Sequence, residues 1–297
     1  MPNLIIGDNV IVEPENQSIC GLPLMQKGCA PGDGGNLLLS VEEKDYLLEK
    51  YPELKEVIKP FLGADEIING YFRYCLWLDK ELYNKYRYIP EIATRVEQCR
   101  KMRSESKKAA TQKKAQTPYA FDEIRYKVCP TIVVPQTTSE NRLYIPIYFS
   151  SSDIVYSNGA RVIYDANLYL FGILTSAIHN LWVQRVSGRL ETRIQYSNTI
   201  CYNTFPAPSL NAKQKMEIEA LAKEVLLVRA EHTDMTLGEM YEPDSMPDDL
   251  RAAHHALDLA VERCYREKPF ESDEERLEFL FKQYIKLTTD KSTLWRI

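Results

Sequence analysis

The sequence predicts an α+β fold, with a mixed, β-rich body over residues 1–208 and a small all-α region over 209–297. Three observations lead there. Between residues 123 and 165 the stretches EIRYKVCPTIVVPQ, RLYIPIYF, DIVYS and ARVIYDA alternate β-branched and aromatic residues, which suits a pleated, half-buried surface. Beyond residue 209 apolar residues recur at helical spacing, as in Leu277, Leu280, Phe281, Tyr284 and Leu287. Between the two regions stands Phe205-Pro206-Ala207-Pro208, a proline-containing stretch that marks a boundary.

In order along the chain, residues 1–40 read as loops and short strands, with Leu4-Ile5-Ile6 and Val10-Ile11-Val12 separated by Gly7-Asp8-Asn9. Gly28 to Gly35 is glycine-rich, but it lacks both G-x-G-x-x-G and a following Gly-Lys-Ser/Thr, so it reads as a tight multi-turn loop. Ser40-Val41-Glu42-Glu43 is a capping box opening a helix whose apolar face is Leu47, Leu48, Tyr51 and Leu54. Asn69-Gly70 between aromatic-rich flanks predicts a hairpin over Ile67 to Leu78. A helix follows from Glu91 to about Ser106, with Ile92, Val96 and Met102 on one face. After the β-rich region, Leu168 to Val186 reads as one apolar helix, and RLETRIQYSNTICYN as a polar stretch. The last region is expected to hold helices from Asn211 to His232, near Asp248 to Glu267, and from Ser272 to Leu287.

Composition narrows the class. Hydrophobic residues are 44% and charged residues 27% of 297, as in ordinary globular proteins. The longest apolar run, Leu168 to Ile178, falls short of the ~20 residues that span a bilayer, and the N-terminus has no basic leader region, so no membrane association is expected. Seven scattered cysteines without a C-x-x-C pair fit free thiols in a reducing compartment, the bacterial cytoplasm. The net charge of −5 is uneven: from Ser209 onward 13 Lys+Arg stand against 19 Asp+Glu, leaving 24 against 23 before it. A near-neutral body therefore carries an acidic tail region.

Catalytic signatures are not found. No Asn-Pro-Pro-aromatic motif, glycine-rich strand-turn-helix, H-E-x-x-H or G-x-S-x-G occurs, and no Pro-Asp…Glu/Asp-x-Lys nuclease pattern is convincing. The four histidines are dispersed; His179 lies in an apolar helix, and adjacent His254 and His255 face different sides of theirs, so no metal site is expected. Cationic residues interleaved with polar and aromatic ones are better represented. Arg100, Lys101, Arg103, Lys107, Lys108, Lys113 and Lys114 stand against Glu105, and Arg125 continues them. A second group is Arg185, Arg189, Arg193, Tyr196, Ser197 and Asn198, and Arg142 lies in the β-rich region. Arginine offers a planar fork to guanine edges or phosphate, and Ser and Asn supply adaptable contacts. The alternative for both groups is a solvated charged face, with Arg189 and Arg193 paired to Glu191 or to acids of the helical region.

Seven stretches in order carry a resemblance. They are Pro31-Gly32-Asp33-Gly34-Gly35-Asn36-Leu37-Leu38-Leu39-Ser40; Ile58-Lys59-Pro60-Phe61-Leu62-Gly63; Ile68-Asn69-Gly70 with Arg73-Tyr74-Cys75-Leu76-Trp77-Leu78; Arg142-Leu143-Tyr144-Ile145-Pro146; Leu174-Thr175-Ser176 with His179-Asn180; Ser187-Gly188-Arg189-Leu190; and Tyr196-Ser197-Asn198 leading to Tyr202-Asn203-Thr204-Phe205-Pro206. Together they resemble the MmeI-like type IIL restriction-modification enzymes, over essentially the whole chain. The resemblance implies a target recognition domain over 1–208 and a C-terminal helical domain over 209–297, the last two parts of such a polypeptide. It also implies double-stranded DNA as partner, along with a methyltransferase domain of the same polypeptide. For the full-length enzyme it implies adenine-N6 methylation with S-adenosylmethionine, and cleavage where a nuclease is retained. No cofactor is expected in this chain, and Met1 is expected to be the start of a truncated frame or an expressed piece. The cationic and polar residues named above are the expected DNA contacts. Two other readings remain: a free-standing DNA specificity subunit, distinguished by a separate gene encoding Asn-Pro-Pro-aromatic, and an interaction module that does not bind DNA.

Overall fold

The computed structural model describes residues 10–294. In chain order its elements are β1 (Gln26–Lys27), β2 (Leu38–Leu39), α1 (Val41–Lys50), β3 (Ile58–Leu62), α2 (Ala64–Asn69), β4 (Tyr74–Leu76), α3 (Lys80–Tyr86), α4 (Pro90–Ser104), α5 (Ala109–Lys113), β5 (Thr131–Pro135), β6 (Thr137–Thr138), β7 (Tyr148–Ser150), β8 (Val155–Tyr156), β9 (Ala160–Tyr164), α6 (Leu168–Thr175), α7 (Ala177–Val186), β10 (Gly188–Leu190), β11 (Arg193–Gln195), α8 (Ala212–Glu231), α9 (Asp248–Arg263) and α10 (Asp273–Leu294). This is the mixed α+β composition the sequence predicts. Leu4-Ile5-Ile6 lies outside the described residues, and Val10-Ile11-Val12 forms no strand.

The chain forms two compact units. One joins Lys27–Cys129 to Ser151–Val162; the other takes the segment ending at Gln26, then Pro130–Ser150, then everything from Ile163 onward. This division does not fall at 208, because α8 to α10 lie in the same unit as residues 163–208. There, α6 packs on α8 and α9, and α7 on α9 and α10.

In the first unit β2, β4, β3 and β8 form one sheet. Leu38 pairs with Cys75 and Ile58 with Leu76 in antiparallel register, and Phe61 pairs with Val155 in parallel. The expected capping box at Ser40 is present, with Glu43 N–H donating to Ser40 Oγ and Ser40 N–H to Glu43. Leu47, Leu54, Val57, Ile92 and Val96 are buried in a shared core, where Trp77 meets Phe121 edge-on at 5.1 Å. The hairpin expected at Asn69-Gly70 is absent. Gly70, at φ +70°, instead ends α2 as a left-handed cap. The same Asn-Gly signal serves either device. Here Glu66 selects the helix by accepting from Gly63 N–H at the start, while its own carbonyl accepts from Gly70 N–H at the end.

In the second unit β5 pairs antiparallel with β7, and β10-β11-β6 form a small sheet. Residues 123–130 are not strand, so the β-rich region is shorter than expected. The single helix expected over Leu168 to Val186 is two, broken at Ser176 (ψ 157°). The buried carboxylate of Asp258 on α9 causes the break: it accepts from Ala177 N–H at 2.7 Å, at the first turn of α7, and from Tyr144 Oη at 2.7 Å. Burial pushes this carboxyl up to about 7, against the pull of those two bonds. Nearby, Arg229 donates from Nη1 to the carbonyl of Ile147 at 2.7 Å and from Nε to Tyr241 Oη at 2.6 Å. These polar contacts lock the helical region onto residues 142–147.

Gly172 decides how closely α6 approaches α8. A Cβ there would lie 2.6 Å from Ile218 Cγ2 and 3.2 Å from Ala222 Cβ. Ile218 is branched at Cβ and fully buried, so it has nowhere to move. Overpacking costs roughly 1–3 kcal/mol, against about 1 kcal/mol of helix propensity gained. Gly172→Ala is therefore expected to lower the thermal unfolding midpoint by a few degrees; an unchanged or higher midpoint would show that Ile218 gives way.

Candidate nucleic-acid interface

The first cationic group is built on α4 and the segment after it. Arg103, in the last turn of α4, is fully buried, and all five of its N–H donors meet backbone carbonyls. Nε donates to Gly32 O (2.9 Å), Nη1 to Lys114 O (3.2 Å) and Thr117 O (2.9 Å), and Nη2 to Pro31 O (2.9 Å) and Ala120 O (2.8 Å). Arg103 therefore cannot be the DNA contact expected from the sequence: its fork is used up inside the protein. The glycine-rich loop provides two of the carbonyls, which explains its turns. Gly32, Gly34 and Gly35 sit at φ +52°, +67° and +88°, where a Cβ is strained. Asp33 braces the loop by accepting from Gly35 N–H at 3.1 Å and from Leu37 N–H. Arg95, two turns earlier on α4, donates to the carbonyls of Asn36 (3.2 Å) and Leu38 (3.1 Å) and pairs with Glu43.

Arg103 thus fixes both ends of its neighbourhood, and the segment from 105 to 120 projects from a rigid base. Lys107, Lys108 and Lys113 lie on this segment and Lys101 on α4 itself; all are exposed, and among the described residues their ammonium groups have no hydrogen bond or ion pair. Lys114 is partly engaged, donating to Asp122 O at 2.8 Å. Arg100 pairs with Glu97 (3.0 Å) and donates to Ala115 O. Arg125 is held by Glu123 (2.5 Å) and Gly28 O (3.1 Å). Alongside runs a groove of about 800 Å³ with Ala93 and Ala115 in its lining, where Thr94, Gln98, Lys101, Ser104 and Gln116 present donors and acceptors. The sequence reading missed Thr94 and Gln98 because it followed charge alone. Their i, i+4, i+7 spacing with Lys101 was the available signal.

The second cationic group lies in the other unit. The stretch read as a polar loop is a hairpin, in which Arg189 pairs with Ile194 and Leu190 with Arg193, turning at Glu191 (φ +57°). Residues paired across strands share a face, so Arg189 and Arg193 project from opposite faces of the ribbon. Arg193 pairs with Glu191 at 3.0 Å, and Arg189 donates to Gln184 O at 2.9 Å, as the charged-face alternative expects in part. The Glu140 carboxyl is held below its usual value by a Thr192 hydroxyl hydrogen bond, then its own backbone bond, with smaller help from the Arg189 and Arg193 charges. Arg185 is exposed in the last turn of α7.

Three expected contacts in this group are engaged within the protein. Tyr196 is buried, with its hydroxyl 3.1 Å from His179 Nε2, so it is a core residue. Ser197 Oγ bonds Thr199 Oγ1 at 2.9 Å, and Asn198 Nδ2 donates to Met25 O at 3.4 Å, at the head of a π-helical turn over Asn198–Tyr202. Arg142 is likewise committed, to Glu242 (2.9 Å) and Thr138 Oγ1 (3.2 Å). Sequence spacing shows residue type but not direction, and these side chains serve the local fold. Among the described residues no group of three His, Cys, Asp or Glu could hold a metal ion, and no helix is long and apolar enough to cross a membrane.

Two family models match the chain: "MmeI, target recognition domain" over residues 6–209 and "MmeI, C-terminal domain" over residues 210–291. DNA methyltransferase A of Bacillus subtilis (strain 168) is 45% identical over 287 residues, which is 97% of this chain and 32% of that protein. The solved structure of the type IIL restriction-modification enzyme MmeI in complex with DNA matches with a TM-score of 0.90 at 37% identity, covering 95% of this chain and 38% of that one. The chain spans about a third of the length of these relatives.

Lysine has three donors where Arg103 uses five, so Arg103→Lys leaves at least two buried carbonyls unbonded. At about 1–3 kcal/mol for each buried bond removed, the substitution is expected to lower stability by roughly 3 kcal/mol. A urea-unfolding midpoint equal to that of the unsubstituted chain would show that the carbonyls find other donors.

Proposed function

This chain belongs to the MmeI family, and on that premise we propose that it seats and reads double-stranded DNA for an adenine-N6 methyltransferase carried elsewhere in the same polypeptide. In this reading residues 1–208 recognise the target and 209–297 brace that module. The catalytic part uses S-adenosylmethionine, and the enzyme works in the bacterial cytoplasm, where its seven free thiols suit a reducing environment. The observation that carries the reading is the set of exposed ammonium groups at Lys101, Lys107, Lys108 and Lys113, unpartnered among the described residues and presented from a segment that Arg103 anchors. Cations that form no ion pair among the described residues, on a segment whose base is held by Arg103, suit phosphate contacts, which set register without reading sequence. The relationship to MmeI, whose solved structure is a DNA complex, supports the same reading.

Sequence discrimination is assigned to the β10–β11 ribbon. Arg189 on β10 and Arg193 on β11 flank a two-residue turn, and β11 is stitched to β6, a support stiff enough for bidentate base contacts. The Arg193–Glu191 pair is exposed, so exchanging it for a base edge sacrifices little.

Binding to a panel of duplexes across a salt series tests both assignments. Replacing Lys107, Lys108, Lys113 and Lys114 by alanine should weaken all duplexes about equally and flatten the slope of log affinity against log salt by about 0.9 for each phosphate that is no longer neutralised. Arg189→Ala or Arg193→Ala should instead alter the ranking of duplexes at one base position, by roughly 1–3 kcal/mol. An unchanged slope in the lysine variant, or an unchanged ranking in both arginine variants, would remove the corresponding assignment.

A further inference from the structure

Two arginines of the unit containing α4 are more than nine-tenths buried, and their surroundings are opposite. Arg103 fills every donor with a backbone carbonyl. Arg161, in β9, is 7% exposed, yet its Nε and Nη1 are sealed from solvent without any hydrogen-bond partner. Among the described residues no carboxylate pairs with it. Its neighbours in β9 are buried and apolar, so an aliphatic side chain would suit the position better than a guanidinium. Burial alone pushes the Arg161 guanidinium below its ordinary value.

A buried cation without a counter-charge destabilises a fold, and two unsatisfied donors add to that cost. Such a group persists where a ligand supplies the missing charge. The sealed nitrogens restrict what that ligand is. Nη2 is the one guanidinium nitrogen left open, because it is neither sealed nor bonded. Guanine recognition needs two donors along one edge of the fork, and either edge containing Nη2 also contains a sealed nitrogen. A single charged N–H reaching the surface suits one phosphate oxygen, and the low-dielectric surroundings strengthen that bond.

We propose that Arg161 is an oxyanion seat that takes a backbone phosphate of bound duplex DNA on Nη2. The seat rests on the DNA-binding reading above, and adds a phosphate anchor of a different kind from the solvated lysines. A lysine at the surface is at home without DNA, whereas Arg161 is strained until the anion arrives. Stability and affinity should therefore respond to its removal in opposite directions.

The test compares the 297-residue chain with Arg161→Met and Arg161→Lys. Thermal midpoints are measured without DNA, in sodium chloride and in sodium phosphate at equal ionic strength, and duplex affinity is measured across a salt series. Arg161→Met is expected to unfold at a higher temperature than the unsubstituted chain. It should also bind every duplex more weakly, with the salt slope shallower by about 0.9. Arg161→Lys, which keeps the charge, should retain most of the slope. A lower midpoint for Arg161→Met, or its failure to fold, would overturn the proposal by making Arg161 a support of the fold. An unchanged duplex affinity, with inorganic phosphate raising the midpoint of the unsubstituted chain but not of Arg161→Met, would overturn the DNA assignment and leave a free-phosphate site. If the unsubstituted chain binds no duplex, the DNA-binding reading fails and takes the DNA assignment with it, while the phosphate arm still decides whether Arg161 is an oxyanion seat.

Discussion

One buried guanidinium organises the α4 unit. Arg103 has five donors, and the chain brings five carbonyls to them from three places: the glycine-rich loop at 31–32, the segment end at 114–117, and Ala120. No other side chain has five donors in one plane, so the position requires arginine. Burial pushes the neighbouring Cys99 thiol up to about 11, with the Arg103 charge pulling it down and the Asp33 charge pushing it up, which places both charges near the same sulfur. The loop's glycines and the orientation of α4 follow from this one cluster, and so does the fixed origin of the lysine segment.

Charge and location are therefore divided between different residues. Arg103 looks like part of a basic run but, like Arg95 earlier on α4, is bonded to backbone carbonyls, while Lys101, Lys107, Lys108 and Lys113 are exposed and form no ion pair among the described residues. This division also explains how a chain of net charge −5 suits a polyanion. The acids concentrate beyond Ser209, in helices that pack through Gly172, Asp258 and Arg229. Surface charges act on one another chiefly within about 10 Å, so under the proposed reading the local excess of lysine, and not the total charge, is what a phosphate meets.

Much of the fold was legible, and the failures have a common cause. Capping chemistry is local, so the Ser40-Glu43 pair marked a true helix start. Asn69-Gly70 was ambiguous because a left-handed glycine ends a helix as readily as it turns a hairpin. The break at Ser176 was invisible because its cause, Asp258, lies 81 residues away from the amide it accepts from. The candidate site shows the same limit. Residue types at 100–114 located the cationic segment, but nothing in the spacing said that Arg103 turns inward, that Tyr196 joins His179, or that Arg161 is buried without an acceptor. Direction is a tertiary property, and composition carries only the inventory.

If the buried guanidinium sets where the lysines stand, DNA binding must depend on a residue that never reaches solvent. The direct measurement is the duplex affinity of Arg103→Lys, taken at a temperature where circular dichroism shows the variant still folded. Anchoring by Arg103 predicts affinity weakened about tenfold, or ~1.4 kcal/mol, equally for all duplex sequences, because a loosened segment must be ordered again on binding. Affinity equal to that of the unsubstituted chain, in a variant of measurably lower stability, would contradict it.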